Sequence, residues 1–261
     1  MRLDIFLKES GFVSSRTKAQ ELIINNFILV DGVICSNLKK EVSEKNIINI
    51  LENEEIGYVS RSYKKLKVGL QDFKIKVEGK VCLDIGSSTG GFTQVLCEQN
   101  AEQVFSIDVV SDQFDKNLLE KYGDRIKLFE KTDIRNFGKE EVSSLKSEYG
   151  NIYKNLFDVI VCDISFISIT KIVENIFELL KEGGEGVILI KPQFEVGREN
   201  IGRGGLVKSG DENISYEDLV NMTIANIKKV FEENNLRVIK IIDSPILGGD
   251  GNKEFLMQVK K

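Results

Sequence analysis

The sequence predicts an α/β protein: a doubly wound, mostly parallel sheet of seven strands, with a small α+β domain in front of it. Three observations predict this. Beyond Gly79, short and nearly continuous apolar segments alternate with helical patterns, as in a parallel sheet covered by helices on both faces. Before Leu51 the pattern is instead two short helices followed by a small curled sheet. The acidic stretch from Leu51 to Gly57 separates the two and reads as a linker. It sets the domains at residues 1–57 and 58–261, the second opening with a linker and basic helix over 58–80.

In the small domain, Leu3, Ile5, Phe6, Leu7 and Phe12 mark a helix ended by Gly11, and Ser14 is the expected N-cap of a second helix. Ala19, Leu22 and Ile23 supply the apolar face of that helix. Phe27 to Val30 reads as a strand, and Asp31-Gly32 as a hairpin turn before Val33 to Cys35. Ile47 to Ile50 is a further strand. In the large domain the strands are expected at Val81–Ile85, Val104–Asp108, Ile126–Phe129, Phe157–Cys162, Gly186–Ile190, Arg237–Ile242 and Glu254–Val259. A long helix runs from about Tyr216 to Glu233. Ligands of such sheets bind beyond the carboxyl ends of the strands.

Composition removes whole classes of chemistry. The chain has no histidine, which excludes Ser-His-Asp and Cys-His nucleophile systems, His-ligated metals and imidazole proton shuttles. Cys35, Cys82, Cys97 and Cys162 form no CxxC pair and read as buried thiols of a reducing compartment, so neither a disulfide framework nor a metal site is expected. No apolar run approaches the ~20 residues of a membrane span. Met1-Arg2-Leu3-Asp4 lacks the apolar core of a secretory signal, so a cytoplasmic location is expected. Net charge is −5, yet residues 61–80 hold seven basic against two acidic residues, a solvated helix face or a nucleic-acid track.

The sharpest motif is Asp84-Ile85-Gly86-Ser87-Ser88-Thr89-Gly90-Gly91-Phe92, between the first large-domain strand and its helix. Asp108 ends the next strand 22 residues beyond Gly86, where a carboxylate can hold a ribose diol. The G-x-G-x-x-G of NAD-binding chains is absent. An acidic residue two positions before the first glycine suits a cofactor bearing an amino group, S-adenosylmethionine, better than an anionic pyrophosphate. A nicotinamide or flavin cofactor and a purely structural turn are the alternatives. Asp133, after the third strand, is a candidate acceptor for the adenine amino group or an exposed N-cap carboxylate.

Four charges stand where burial penalises them: Asp163 and Lys191 at strand ends, Glu254 opening the last strand, and Lys65 on the basic helix. Singly, each suits a surface ion pair. Together, beside a nucleotide site, they favour catalysis, and methyl transfer to an alcohol is the chemistry they suit. The segment Gly197 to Gly210, glycine-rich and basic, is a mobile lid over the substrate or a plain loop.

These residues carry a resemblance that spans essentially the whole chain. Arg2-Leu3-Asp4, Ser15 to Ala19, Val30-Asp31-Gly32, Tyr58 to Arg61, Lys65-Leu66, Asp84 to Phe92, Cys162 to Phe166, Lys191 to Glu195 and Gly251 to Phe255 resemble the TlyA family. Its members are called both haemolysins and 2′-O-methyltransferases of ribosomal RNA. The resemblance implies an S4-like RNA-binding domain and a Rossmann-like, FtsJ-like domain dependent on S-adenosylmethionine. It further implies a Lys-Asp-Lys-Glu tetrad of Lys65, Asp163, Lys191 and Glu254, acting on a cytidine ribose in 16S or 23S rRNA or in ribosomal subunits. RNA contacts are implied for Arg2, Arg16 and Lys18, extended by Arg61 and Lys64. Two departures stand out: Asn25-Asn26-Phe27 occupies a turn where the family usually has glycine, and tandem Lys64-Lys65 offers two positions for the first lysine, of which Lys65 is chosen. Two other readings are a membrane-lytic protein and an RNA-binding protein with an inactive methyltransferase domain.

Overall fold

The computed structural model describes residues 1–13, 15–51, 57–137, 156–208 and 214–261. They form two compact units, Met1–Arg61 and Ser62–Lys261.

In the first unit, α1 (Leu3–Glu9) and α2 (Arg16–Ile24) share one core with β1 (Ile28–Val30), built on Leu3, Leu7, Leu22, Ile23, Ile28 and Val30. β2 (Val33–Ile34) and β3 (Ile48–Ile50) flank β1 in an antiparallel sheet of order β2-β1-β3. The Asp31-Gly32 turn has positive φ at both residues, +54° and +79°, the geometry that lets a two-residue loop follow strand twist. Two expectations need correction. The N-cap of α2 is Ser15, whose hydroxyl accepts from Lys18 N at 3.1 Å; Ser14 lies outside the described residues. Phe12 falls beyond α1 and is 41% exposed, because the helix has already ended ahead of Gly11 at φ +73°. The turn without glycine is made by Asn26 at φ +64°, a conformation asparagine tolerates better than most side chains.

Asp4 is fully buried at the centre of this unit and accepts from Arg2 (3.0 Å), Arg16 (2.8 Å) and Gln20 (2.9 Å). Burial raises its pKa, but the hydrogen bonds from Gln20, Arg16 and Arg2 outweigh that and hold the carboxyl at about 2.

The second unit opens with α3 (Tyr63–Phe73). Its sheet takes β4 (Val81–Ile85), β5 (Gln103–Ile107), β6 (Ile126–Phe129), β7 (Phe157–Cys162), β8 (Leu180–Ile190), β9 (Arg237–Asp243) and β10 (Phe255–Lys260). The order is β6-β5-β4-β7-β8-β10-β9, parallel from β6 to β8 and antiparallel where β10 pairs with β8 and β9. Helices α4 (Gly91–Glu98), α5 (Lys116–Tyr122), α6 (Val173–Leu179) and α7 (Tyr216–Glu233) join these strands. Central strands read as unbroken apolar runs because both faces are covered: Leu83, Phe105, Ile160, Val187 and Ile188 are each at most 1% exposed. No helix among the described residues is long and apolar enough to cross a membrane.

Replacing Asp4 with Ala leaves two guanidinium groups and an amide without their shared acceptor. It should destabilise the small unit by about 2 kcal/mol at pH 7, read as faster amide exchange in α1 and α2. The folded pKa lies below the ordinary carboxylate value. The stabilisation is therefore complete above about pH 4 and lost as pH falls through 2, so wild type and variant should converge in acid.

Candidate active site

The strand ends gather the four charges. Asp163 directly follows β7 and Lys191 directly follows β8. β10 runs antiparallel with Phe255 opposite Ile190, so the residue before it, Glu254, arrives beside Lys191. Lys65 comes from α3, which lies close against β8 and β10. A Cβ on Gly69 would stand 3.0 Å from Val187 Cγ1 and 3.5 Å from Leu256 Cδ1, so only a glycine permits that approach without displacing a neighbour. One turn before Gly69, Lys65 is carried inward and meets the other charges, while Lys64 is half-buried.

The result is a chain of alternating charge. Lys65 Nζ lies 2.6 Å from Glu254 Oε2 and 3.6 Å from Asp163 Oδ2, and Lys191 Nζ lies 2.6 Å from Asp163 Oδ1. Glu254 is its innermost member, with a side chain 2% exposed, against 9% at Lys65, 14% at Asp163 and 11% at Lys191. Two cations and two anions cancel, so the cluster is buried without net charge.

Lys191 also donates to Ser165 Oγ at 2.8 Å. Ser165 belongs to a wall shared by two cavities. One, of about 460 Å³, is lined by Gly86, Ser88, Asp108, Asp133, Asp163 and Ser165 among others. The second, of about 300 Å³, is lined by Lys191, Glu254, Phe194, Ile201, Gly205 and Asp250 with Ser165 and Phe166. Phe166 is 88% exposed at φ +68°, its ring centre 5.2 Å from that of Phe194. The loops after β7 and β8 are laced together by Glu195, which accepts from Ser168 Oγ at 2.6 Å and from Ile169 N at 2.9 Å. Burial raises the pKa of Glu195, and those two hydrogen bonds partly offset it.

The glycine turn works differently from a phosphate cradle. Gly86 N and Ser87 N donate to Ile107 O, and Ser88 N donates to Asp108 Oδ2 at 2.8 Å, so these donors are engaged within the protein. Gly86, at φ +82°, instead permits close approach: a Cβ there would meet Asp163 O at 2.8 Å. Gly90, at φ +96°, makes room for Phe114 and Leu118. Of the expected cofactor residues, Gly86, Ser88, Asp108 and Asp133 line the larger cavity. Ser87, Gly90, Gly91 and Phe92 are buried behind it, with Thr89 half-buried.

Asp84 lies wholly buried beneath the turn. Its Oδ2 accepts from Thr93 Oγ1 at 2.6 Å, and Thr93 in turn meets Ser106 Oγ at 2.7 Å. Burial pushes the Asp84 carboxyl up to about 7, against the lowering effect of Thr93. Asp133 is held by Arg135, whose Nε donates to Oδ1 at 3.0 Å, and this pairing lowers its pKa.

The expected RNA-contacting residues divide. Arg2 and Arg16 are half-exposed guanidinium groups anchored on Asp4, Lys18 is 6% exposed, and Arg61 is exposed. Sequence reasoning overlooked the uncharged partners: Ser165 on Lys191, Thr93 and Ser106 beneath Asp84, and the buried amide of Asn252. Hydroxyls and amides carry no charge anomaly to expose them. Position within the same motifs was the available signal.

Comparisons with known proteins place the chain. A family model described as FtsJ-like methyltransferase matches residues 58–261, and one described as S4 domain matches residues 1–48. The chain is 36% identical over 257 residues to the protein named Hemolysin A of Brachyspira hyodysenteriae, covering 98% of each. It is 30% identical over 259 residues to the 16S/23S rRNA (cytidine-2′-O)-methyltransferase TlyA of Mycobacterium tuberculosis, covering 99% of this chain and 89% of that one. A solved structure from Streptococcus thermophilus that carries the name haemolysin superposes with a TM-score of 0.72 at 28% identity, covering 100% of this chain and 88% of that one. The chain thus belongs to the TlyA family of methyltransferases, an S4 domain followed by an FtsJ-like methyltransferase domain.

Proposed function

We propose that this protein transfers a methyl group from S-adenosylmethionine to the ribose 2′-hydroxyl of a cytidine in ribosomal RNA, with Lys191 at the point of transfer. The observation that carries the reading is the position of Lys191: its Nζ ends the charge chain and lines a cavity that shares Ser165 and Phe166 with the cavity beside the glycine turn. One cavity accommodates the donor, the other the acceptor.

The residues fit the cofactor. Asp84 Oδ1 and Ser87 Oγ are buried without a hydrogen-bond partner, and the missing Cβ of Gly86 keeps the turn close to Asp163. Asp108 would hold the ribose diol, Asp133 the adenine amino group, and the Asp84 side of the turn the amino end. The bound cofactor supplies a methyl group already activated by a sulfonium. The protein's own task is then to place the hydroxyl and manage its proton. In that reading the Lys191 ammonium, paired with Asp163 at rest, releases a proton to solvent before each turnover; the neutral amine then takes the hydroxyl proton as the oxygen attacks, and the ammonium re-forms against Asp163. Lys65 keeps Asp163 and Glu254 together without leaving a buried anion uncompensated. The S4 domain and the basic residues from Arg61 onward would hold the RNA backbone.

The test is label transfer from methyl-labelled cofactor to unmodified ribosomal subunits. Lys191→Ala should fold and bind cofactor as wild type does while kcat falls by about 10²–10⁴-fold; turnover retained in that variant contradicts the assignment. Removal of residues 1–57 should leave cofactor affinity unchanged and abolish modification of subunits, and full activity without them contradicts their role in gripping RNA.

Asp84 gives a pH signature. Because its folded pKa of about 7 exceeds the unfolded value, ionisation costs the apo protein stability between pH 4 and 7, by at most about 1.4 kcal/mol per pH unit. The stability of Asp84→Asn relative to wild type should therefore rise across that interval and level off above it. The same variant should bind cofactor more weakly by calorimetry, since the carboxylate that offsets the amino group is gone.

A further inference from the structure

Asn252, two residues ahead of Glu254, is 4% exposed, and both ends of its side-chain amide are engaged. Its Oδ1 accepts from Val207 N at 3.0 Å and its Nδ2 donates to Gly205 O at 2.9 Å. Both partners lie on the segment 197–208, the described part of the region that the sequence offered as a lid or plain loop. That segment is folded on itself. Gly202 N donates to Leu206 O at 2.8 Å, Lys208 N donates to Asn200 O at 2.9 Å, and Ile201 and Val207 form an antiparallel bridge. Ile201 and Gly205 then line the 300 Å³ cavity opposite Lys191 and Glu254.

Asparagine is suited to this position because a single side chain must offer an acceptor and a donor to two neighbouring backbone groups. An aspartate lacks the donor, and an apolar residue would leave both groups unsatisfied in a buried place. The turn that carries Asn252 is also pressed against Glu254, since a Cβ on Gly248 would fall 2.5 Å from Glu254 Oε1. The cavity wall and the innermost carboxylate of the charge chain are therefore held by one short turn.

We propose that Asn252 is a positioning residue that fixes the 200–208 segment as the substrate-facing wall of the acceptor cavity. This rests on the reading of that cavity as the acceptor site. Asn252 does not touch the reacting atoms. Its wall presents one apolar side chain, Ile201, and bare backbone at Gly205, surfaces that suit the uncharged face of a ribose.

The experiment compares wild type, Asn252→Ala and Asn252→Asp as full-length proteins, by limited trypsin cleavage after the exposed Arg203 and by methyl transfer to ribosomal subunits. In Asn252→Ala, cleavage after Arg203 should accelerate about tenfold and KM for subunits should rise about tenfold, with kcat within about threefold and cofactor affinity unchanged. Asn252→Asp keeps the acceptor for Val207 N and loses the donor to Gly205 O, so it should fall between, and it decides the matter if the alanine variant does not fold. Unchanged cleavage in a folded variant, or a fall in kcat with KM unaltered, overturns the inference. Cleavage needs no substrate. Absence of methyl transfer in wild type would therefore defeat the acceptor reading, while the protease comparison still decides whether Asn252 holds the wall.

Discussion

The Asp163 carboxylate lies within ion-pair distance of two ammonium groups, Lys191 at 2.6 Å and Lys65 at 3.6 Å, and the rest of the site is arranged around that constraint. A carboxylate at the end of a buried strand is tolerated only with a cation against it, and a second cation is tolerated only with a second anion. Glu254 supplies that anion from the last strand, 2.6 Å from Lys65. Removing any one member leaves a buried charge uncompensated, at a cost of about 3 kcal/mol where water cannot reach. The four side chains therefore behave as one electrostatic unit whose exposed end is Lys191.

Topology makes this unit possible. Parallel neighbours β4, β7 and β8 present their carboxyl ends on one edge, and the reversed direction of β10 brings its first residues to that same edge. The close approach of α3 at Gly69 adds a lysine from outside the sheet, and Gly86 lets the glycine turn sit against the backbone of Asp163. The two cavities consequently share a wall at Ser165 and Phe166. Relatives bear two kinds of name, haemolysin and rRNA methyltransferase. What this chain itself displays is a charge chain placed between two cavities.

Much of this was legible in the sequence because it follows from residue type at a strand end. Apolar runs placed the strands within a residue or two except at β8, which begins at Leu180 rather than at the expected Gly186, because the polar and glycine-rich stretch 181–185 gives no apolar signal. Asp163, Lys191 and Glu254 drew attention as charges bordering those runs. Other features depend on geometry that pattern cannot carry. A serine is as good a cap at position 14 as at 15, so the start of α2 was displaced by one residue. Nor does the glycine pattern show that Ile107 and Asp108 engage the N–H groups of Gly86, Ser87 and Ser88. The resemblance offered Arg2 and Arg16 as RNA contacts, and nothing in the sequence announces that both would also be anchored on a buried Asp4. Asn252 and Ser165 stood inside motifs already singled out, but their roles were not legible, because neutral side chains give no warning when they are buried or bridging.

The central claim is that Glu254, Lys65, Asp163 and Lys191 act as a single unit. The most direct measurement is a double-mutant cycle on kcat with Glu254→Gln and Lys191→Met, using labelled cofactor and ribosomal subunits. A single unit predicts strong non-additivity, the double variant losing little more than the worse single variant. Independent losses that multiply in the double variant would show that Glu254 and Lys191 act separately and would contradict this account.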